Sequence, residues 1–141
     1  MKIIPGEIAV LDIPVKHYMS GYVLTLRPEQ EVLEAAKMLA DRGINSAPVI
    51  DDIGNLVGVL SDTDCMAAAI KVGFDPDWRG KVKEFMSENV VTVEANESVL
   101  KVAERFLKDR YRRYPVMEDN RMIGQITRLD VLKALEQAQR R

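Results

Sequence analysis

Residues 15–52, VKHYMSGYVLTLRPEQEVLEAAKMLADRGINSAPVIDD, are rewritten at residues 82–119 as VKEFMSENVVTVEANESVLKVAERFLKDRYRRYPVMED. At a constant offset of 67 the two stretches share twelve of 38 positions: Val15, Lys16, Met19, Ser20, Val23, Thr25, Val32, Leu33, Ala36, Pro48, Val49 and Asp52. Dropping one residue near Ile53 restores the match, with Gly58, Leu60, Ser61 and Asp64 over Gly124, Ile126, Thr127 and Asp130. A duplication of this size predicts two copies of one supersecondary unit that bury their apolar faces against each other and leave two related clefts. Units of about 60 residues are marginal alone, so the two halves are expected to share stability.

Each copy reads as strand, helix, strand, strand, helix, which predicts an α+β fold. In the first copy Val23 to Leu26 is a short β-prone stretch, and Pro28 and the acids near Glu29 open a helix with Val32, Leu33, Ala36, Leu39 and Ala40 inward. Gly43 stops that helix, Ala47–Ile50 and Leu56–Leu60 form a hairpin around the Asp51–Asn55 turn, and a last helix runs from about Asp62 to Val72. The second copy repeats the order: strand Val90–Val93, helix Glu97–Asp109 with Val99, Leu100, Ala103, Phe106 and Leu107 inward, hairpin Tyr114–Met117 and Met122–Ile126, helix Arg128–Gln139. The boundaries are therefore an extension at 1–14, a first repeat at 15–72, a linker at 73–81 and a second repeat at 82–141. Ile3, Ile4, Ile8, Val10, Leu11 and Ile13 make the extension apolar enough to pack on a sheet, and Trp78 is expected to clamp the linker onto the core.

Composition narrows the function classes. Cys65 and His17 are the only residues of their kinds, so a Cys/His zinc cluster and an intrachain disulfide are excluded, and any nucleophilic triad would have to use His17. Cys65 reads as an inert thiol on a helix, and His17 as structural. No apolar run approaches the roughly 18 residues of a membrane span, and Met1–Pro14 lacks signal-peptide features, so no membrane partner and a cytoplasmic location are expected. Residues 1–70 carry five Lys/Arg against ten Asp/Glu, and residues 71–141 fifteen against twelve. The positive excess between Arg105 and Arg113, with Arg128, suits a small anion better than a duplex, whose affinity needs many phosphate contacts; nucleic acid is not an expected partner. Asp51, Asp52, Asp62 and Asp64 raise a magnesium-dependent hydrolase as a competing reading, but Asp51 and Asp52 fall in a turn and read more simply as solvated.

Two segments carry the chemistry. Each hairpin ends in Gly-x-hydrophobic-Ser/Thr-x-x-Asp: GVLSDTD at 58–64 and GQITRLD at 124–130. Ser61 and Thr127 stand at helix starts, where open backbone N–H groups and the helix dipole favour a phosphate, while Asp64 and Asp130 can accept the two hydroxyls of a ribose. A capping box fits the same spacing. The lead-in to each hairpin is Ile44-Asn45-Ser46-Ala47-Pro48 in one copy and Tyr111-Arg112-Arg113-Tyr114-Pro115 in the other. Small residues there leave room for a flat base, and arginines offer bidentate contacts to phosphate, or else stand solvated beside a core tyrosine.

The twofold order of Met19-Ser20 and Met86-Ser87, Ala47-Pro48-Val49 and Tyr114-Pro115-Val116, and the two Ser/Thr-x-x-Asp helix starts resembles a tandem pair of cystathionine β-synthase (CBS) domains, the Bateman module, over about Val15 to Gln137. The resemblance implies two pseudo-twofold-related β-α-β-β-α repeats packed sheet to sheet, with clefts that commonly take adenine nucleotides. It further implies that the helix start of one repeat faces the lead-in of the other. One cleft would then join Thr127, Arg128 and Asp130 with Leu24, Ser46, Ala47 and Pro48. The other would join Ser61 and Asp64 with Val91, Arg112, Arg113, Tyr114 and Pro115. The first is expected to be tighter, because Arg128 attracts phosphate where Asp62 repels it. The resulting expectation is a non-catalytic sensor of AMP, ADP or ATP, with S-adenosylmethionine as a further possible ligand, no catalytic cofactor, a homodimeric state and a separate regulated protein. The alternative is a dimerising interaction module regulating an enzyme or transporter with weak or no ligand binding.

Overall fold

The computed structural model describes residues 13–139. Among them the fold is mixed α+β, with four α-helices and two sheets. The elements are α1 Val32–Arg42, β1 Ser46–Ile50, β2 Leu56–Ser61, α2 Asp62–Phe74, β3 Val93–Glu94, α3 Val99–Lys108, β4 Arg113–Glu118, β5 Arg121–Thr127 and α4 Arg128–Gln139. Short 3-10 turns at Val15–His17 and Val82–Glu84 open the two copies. The chain divides into two compact units whose limits differ from those of the repeats: one is Leu24–Val90, the other joins residues 13–23 to 91–139.

In the Leu24–Val90 unit, β1 and β2 form an antiparallel hairpin with Ser46 opposite Ser61 and Val49 opposite Gly58. The expected strand at Val23–Leu26 contracts to one parallel bridge between Leu26 and Val49, held by Leu26 N–H to Pro48 O at 2.9 Å and Ile50 N–H to Leu26 O at 2.8 Å. Helix α1 starts at Val32, later than the expected start near Glu29, and ends where Gly43 takes φ 64°. There the Gly43 and Ile44 N–H groups return to Ala40 O and Leu39 O, the double bond of a Schellman cap. Val32, Ala35 and Leu39 are buried with Ala47, Val49, Leu60, Cys65, Ala68 and Val82. Trp78 packs on this core, edge to face with Phe85 at 5.6 Å, as expected of a linker clamp.

The other unit has a three-stranded sheet in the order β3-β4-β5, with β3 parallel to β4 and β5 antiparallel to it. Of the expected Val90–Val93 stretch only Val93 lies in a strand, which continues to Glu94, and α3 begins two residues after Glu97. Val99, Val102 and Phe106 are buried with Tyr114, Val116, Ile126, Val131 and Ala134. Ala40 and Leu107, expected inward, face out; Leu107 is 91% exposed, whereas Ala35 and Val102 are buried. The buried set recurs at steps of three and four, and a residue eight positions on is rotated by about 80° from the first, off that face. Of the apolar extension, residues 1–12 lie outside the described residues; Ile13 packs against the core and Pro14 bridges Ser98.

The two units follow one plan, and each is completed by the opening that belongs, in sequence, to the other repeat. Ser20 exchanges backbone hydrogen bonds of 2.9 Å with Gln125 in one unit, and Ser87 exchanges the same pair with Val59 in the other. Each opening therefore lies along the outer strand of a hairpin and satisfies backbone groups that would otherwise form an open sheet edge. Glycine permits the approach. A Cβ on Gly124 would meet Ser20 O at 2.5 Å and Met19 Sδ at 2.8 Å, and one on Gly58 would meet Met86 Sδ at 2.5 Å and Ser87 O at 2.9 Å.

Outside the cores, Glu29 joins Lys81 at 2.7 Å and Lys83 at 2.9 Å, tying the approach to α1 to the second opening. These lysines, Lys81 first, hold the Glu29 carboxyl down at about 2. Among the described residues no helix is long and apolar enough to cross a membrane.

Two outcomes follow from these contacts. Gly124→Ala and Gly58→Ala each force a backbone oxygen away, so each variant should lose about 1–3 kcal/mol in urea unfolding. Because the Glu29 carboxyl is depressed in the folded state, its contribution is present above pH about 4.5 and lost as pH falls toward about 2. Glu29→Gln should accordingly flatten the loss of stability across that window in acid titrations followed by circular dichroism.

Candidate ligand-binding site

At both helix starts the N-cap residue is extended and the acid three residues later returns to it. Ser61, at φ −107° and ψ 168°, accepts the Asp64 N–H at 3.2 Å, and the Asp64 Oδ2 accepts the Ser61 N–H at 2.8 Å. The pair recurs with Thr127 Oγ1 accepting the Asp130 N–H at 3.2 Å and Asp130 Oδ2 accepting the Thr127 N–H at 2.9 Å. Both are capping boxes, so the structural reading of the motif holds. It does not exhaust the carboxylates: Oδ1 of Asp64 and of Asp130 makes no hydrogen bond among the described residues. All four residues are half-buried, open enough for contact and dry enough for a hydrogen bond to count.

Each lead-in lies beside the helix start of its own copy. Ser46 pairs across the hairpin with Ser61, and Arg113 with Thr127. The Asp62 N–H donates to Asn45 O at 2.8 Å, which fixes the start of α2 against its lead-in. Ala47, Pro48, Tyr114 and Pro115 are buried, while Leu24, Ser46 and Val91 are half-buried; Leu24 packs on one core and Val91 on the other. The side chains of the buried four are taken up by packing. Tyr114 is the plainest case. Its ring is fully buried, it lies 4.6 Å from the Phe106 ring, and its hydroxyl donates to Asp109 Oδ2 at 3.2 Å. Burial first and Asp109 second push that hydroxyl up to about 12, so it stays protonated.

The arginines differ in how they are held. Arg105 lies over the Tyr114 ring at 4.9 Å, donates to Thr92 O at 3.0 Å and pairs with Glu97 at 3.6 Å. It is structural. Arg112 is exposed, and Arg113 is half-buried, its guanidinium pKa lowered by burial and then by Arg112. Arg128, on the first turn of α4, is exposed and lies 5.9 Å from the Phe106 ring centre. In the other copy its position is taken by Asp62, which accepts from the Thr63 N–H at 2.8 Å. The helix start at Thr127 is thus bordered by positive charge, and the one at Ser61 by negative charge.

The remaining reactive groups are placed otherwise. Cys65 is buried on α2, and burial, then Asp64 and Asp62, raises its pKa, which keeps the thiol protonated and unreactive. His17 is exposed in a 3-10 turn. Asp51 is bound into its turn, accepting from Ile53 N–H at 3.1 Å and from Asn55 N–H at 2.8 Å. Among the described residues no group of three or more His, Cys, Asp or Glu converges on a point a metal could occupy. Phe106 is the residue beside this region that motif reasoning overlooked: its helical spacing marks it as core and carries no sign of the arginine on its far side.

Comparison with known proteins agrees with this geometry. The family model described as CBS domain matches residues 15–71 and 82–137. L-aspartate semialdehyde sulfurtransferase of Methanosarcina acetivorans is 33% identical over 124 residues, which is 86% of this chain and 23% of that protein. The chain spans less than half the length of the first curated relatives it matches. Among solved structures, CBSX2 in complex with AMP superposes with a TM-score of 0.76 at 27% identity, covering 89% of this chain and 98% of that one; CBSX2 is a CBS-pair protein from Arabidopsis thaliana. A CBS domain pair in complex with 5′-methylthioadenosine and S-adenosyl-L-methionine gives 0.69 at 28% identity, covering 89% and 97%. With both copies of the motif inside the matched residues, the chain belongs to the CBS domain family, as a tandem pair of such domains.

Proposed function

We propose that the protein is a non-catalytic regulatory module that binds an adenine nucleotide, AMP, ADP or ATP, and signals occupancy by a change of conformation. The observation that carries this reading is the repeated helix start. Each one leaves a half-buried carboxylate oxygen at a helix N-terminus, in a chain whose structural neighbours hold AMP, methylthioadenosine and S-adenosylmethionine. Asp130 and Asp64 are assigned to ribose hydroxyls. Thr127 and Arg128 are assigned to phosphate, with Ser61, Arg112 and Arg113 as the corresponding polar groups elsewhere. The base is assigned to the lead-in segments and their neighbours: Leu24, Ser46, Ala47 and Pro48 in one copy, Val91, Tyr114 and Pro115 in the other. Signalling requires that the ligand prefer one of two conformations, since equal affinity shifts nothing. A cytoplasmic location and a separate regulated protein belong to the same proposal, with S-adenosylmethionine as the further ligand to test.

The second reading, a dimerising interaction module, has its own observation. Helix α2 exposes Met66, Ile70 and Phe74 at 63%, 62% and 89%, spaced by four, and α4 exposes Leu129 and Leu132 at 59% and 61%. Apolar stripes on a helix face favour burial against another surface, and a second copy is the proposed occupant.

Calorimetric titration with AMP, ADP, ATP and S-adenosylmethionine separates the readings. Asp130→Ala should weaken binding about tenfold or more by removing charge-assisted hydrogen bonds, and should lose about 1 kcal/mol of stability with the cap. Asp130→Asn keeps an acceptor for the Thr127 N–H, so it should weaken binding while largely retaining stability. No heat with any of the four, from folded protein, would sink the nucleotide reading. In sedimentation, the unmodified chain should run as a dimer and Ile70→Glu with Leu132→Glu as a folded monomer; a monomeric unmodified chain defeats the dimer.

A further inference from the structure

We infer that Phe106 is a positioning residue for Arg128, holding its guanidinium at the Thr127 helix start so that this site selects phosphate-bearing adenine ligands over the bare nucleoside. The inference rests on the nucleotide reading above and adds to it the source of its preference for phosphate.

Arg128 lies over the Phe106 ring at 5.9 Å, within the range of a cation–π contact, and makes no hydrogen bond or ion pair among the described residues. The ring contact consumes no hydrogen bond of the guanidinium, so its N–H donors stay available for a bidentate contact to phosphate oxygens. Arg105, one residue before Phe106, shows the opposite arrangement: it too rests on a ring, but its donors are taken by Thr92 O and Glu97. The platform under Arg128 is itself fixed. Phe106 is 7% exposed and packs at 4.6 Å against the fully buried Tyr114.

The duplication supplies an internal comparison. At the offsets that align the copies, Phe106 corresponds to Leu39 and Arg128 to Asp62. Ring and arginine occur together in one copy and are both replaced in the other, where Leu39 is equally a core residue, 3% exposed. A core position that needed only volume would be served by leucine in both. An exposed arginine loses much side-chain freedom when it binds, and a ring that already restricts it lowers that cost for ligands that use the arginine. Adenosine, without phosphate, gains nothing from it.

The test is a double-mutant cycle read as the ratio of AMP to adenosine affinity by calorimetry, on the full chain. Phe106→Leu should lower the ratio about two- to fivefold, the size of an exposed cation–π contact. Arg128→Met should lower it further, and the double variant should match Arg128→Met alone. An unchanged ratio in Phe106→Leu, or full additivity of the two changes, overturns the inference while AMP binding itself persists. If the unmodified protein binds neither ligand, the nucleotide reading fails first and this inference with it. Should Phe106→Leu not fold, nuclear magnetic resonance of the unmodified protein decides: Arg128 side-chain protons should be displaced upfield by the ring, and unshifted protons overturn the proposal.

Discussion

Backbone pairing between each Met-Ser opening and a glycine-bearing strand is the constraint on which the rest of this protein depends. The pairs are short, Ser20 with Gln125 and Ser87 with Val59, and they close an edge that would otherwise leave N–H and C=O groups unmet. They also decide which residues form a unit. Val82 enters the core of Leu26, Val32 and Leu60, while Val15 enters that of Val93, Tyr114 and Ile126. Neither repeat as written in the sequence contains its own complete core. The demand for glycine at 58 and 124 follows directly, since a methyl group there would occupy the space of a main-chain oxygen.

The same strands end at the helix starts, and here the cap leaves the motif room for the second purpose proposed for it. A carboxylate has two oxygens, and the cap uses only Oδ2 of Asp64 or Asp130. In the proposed reading stability and recognition are coupled at these positions: removing the acid disturbs the helix as well as the ligand, whereas an amide separates the two effects. Differences between the copies lie outside this shared frame. They are concentrated in charge, with Arg128 facing solvent where Asp62 stands, and with Arg112 and Arg113 in place of Ile44's neighbours Asn45 and Ser46.

Arginine shows how little a side chain's identity reveals about its availability. Arg105, Arg112, Arg113 and Arg128 all fall near one another in a reading for positive charge. In the folded unit Arg105 is bound by Tyr114, Thr92 and Glu97, and Arg128 lies over the Phe106 ring with no hydrogen bond or ion pair among the described residues. Tyr114 likewise is a core residue whose hydroxyl is held by Asp109.

Much of this was legible without coordinates because it is local. Periodicity located the four helices and both hairpins, Gly43 marked a left-handed cap, and Ser/Thr followed by Asp three residues later specified the reciprocal bonds of both helix starts. Each depends on residues within one turn of each other, so the pattern and its cause lie in the same short window. Where the reading slipped, a boundary or a face was at stake: the strands at Val23–Leu26 and Val90–Val93 shrink because strand length is set by the partner available, and Leu107 turns outward by its angle on α3. Tertiary structure alone decided which opening completes which core, which arginine is consumed, and that Phe106 bears a charge on its outer side. Those outcomes join residues distant in the chain, and the packing that selects among equivalent arginines leaves no spacing for a sequence to display.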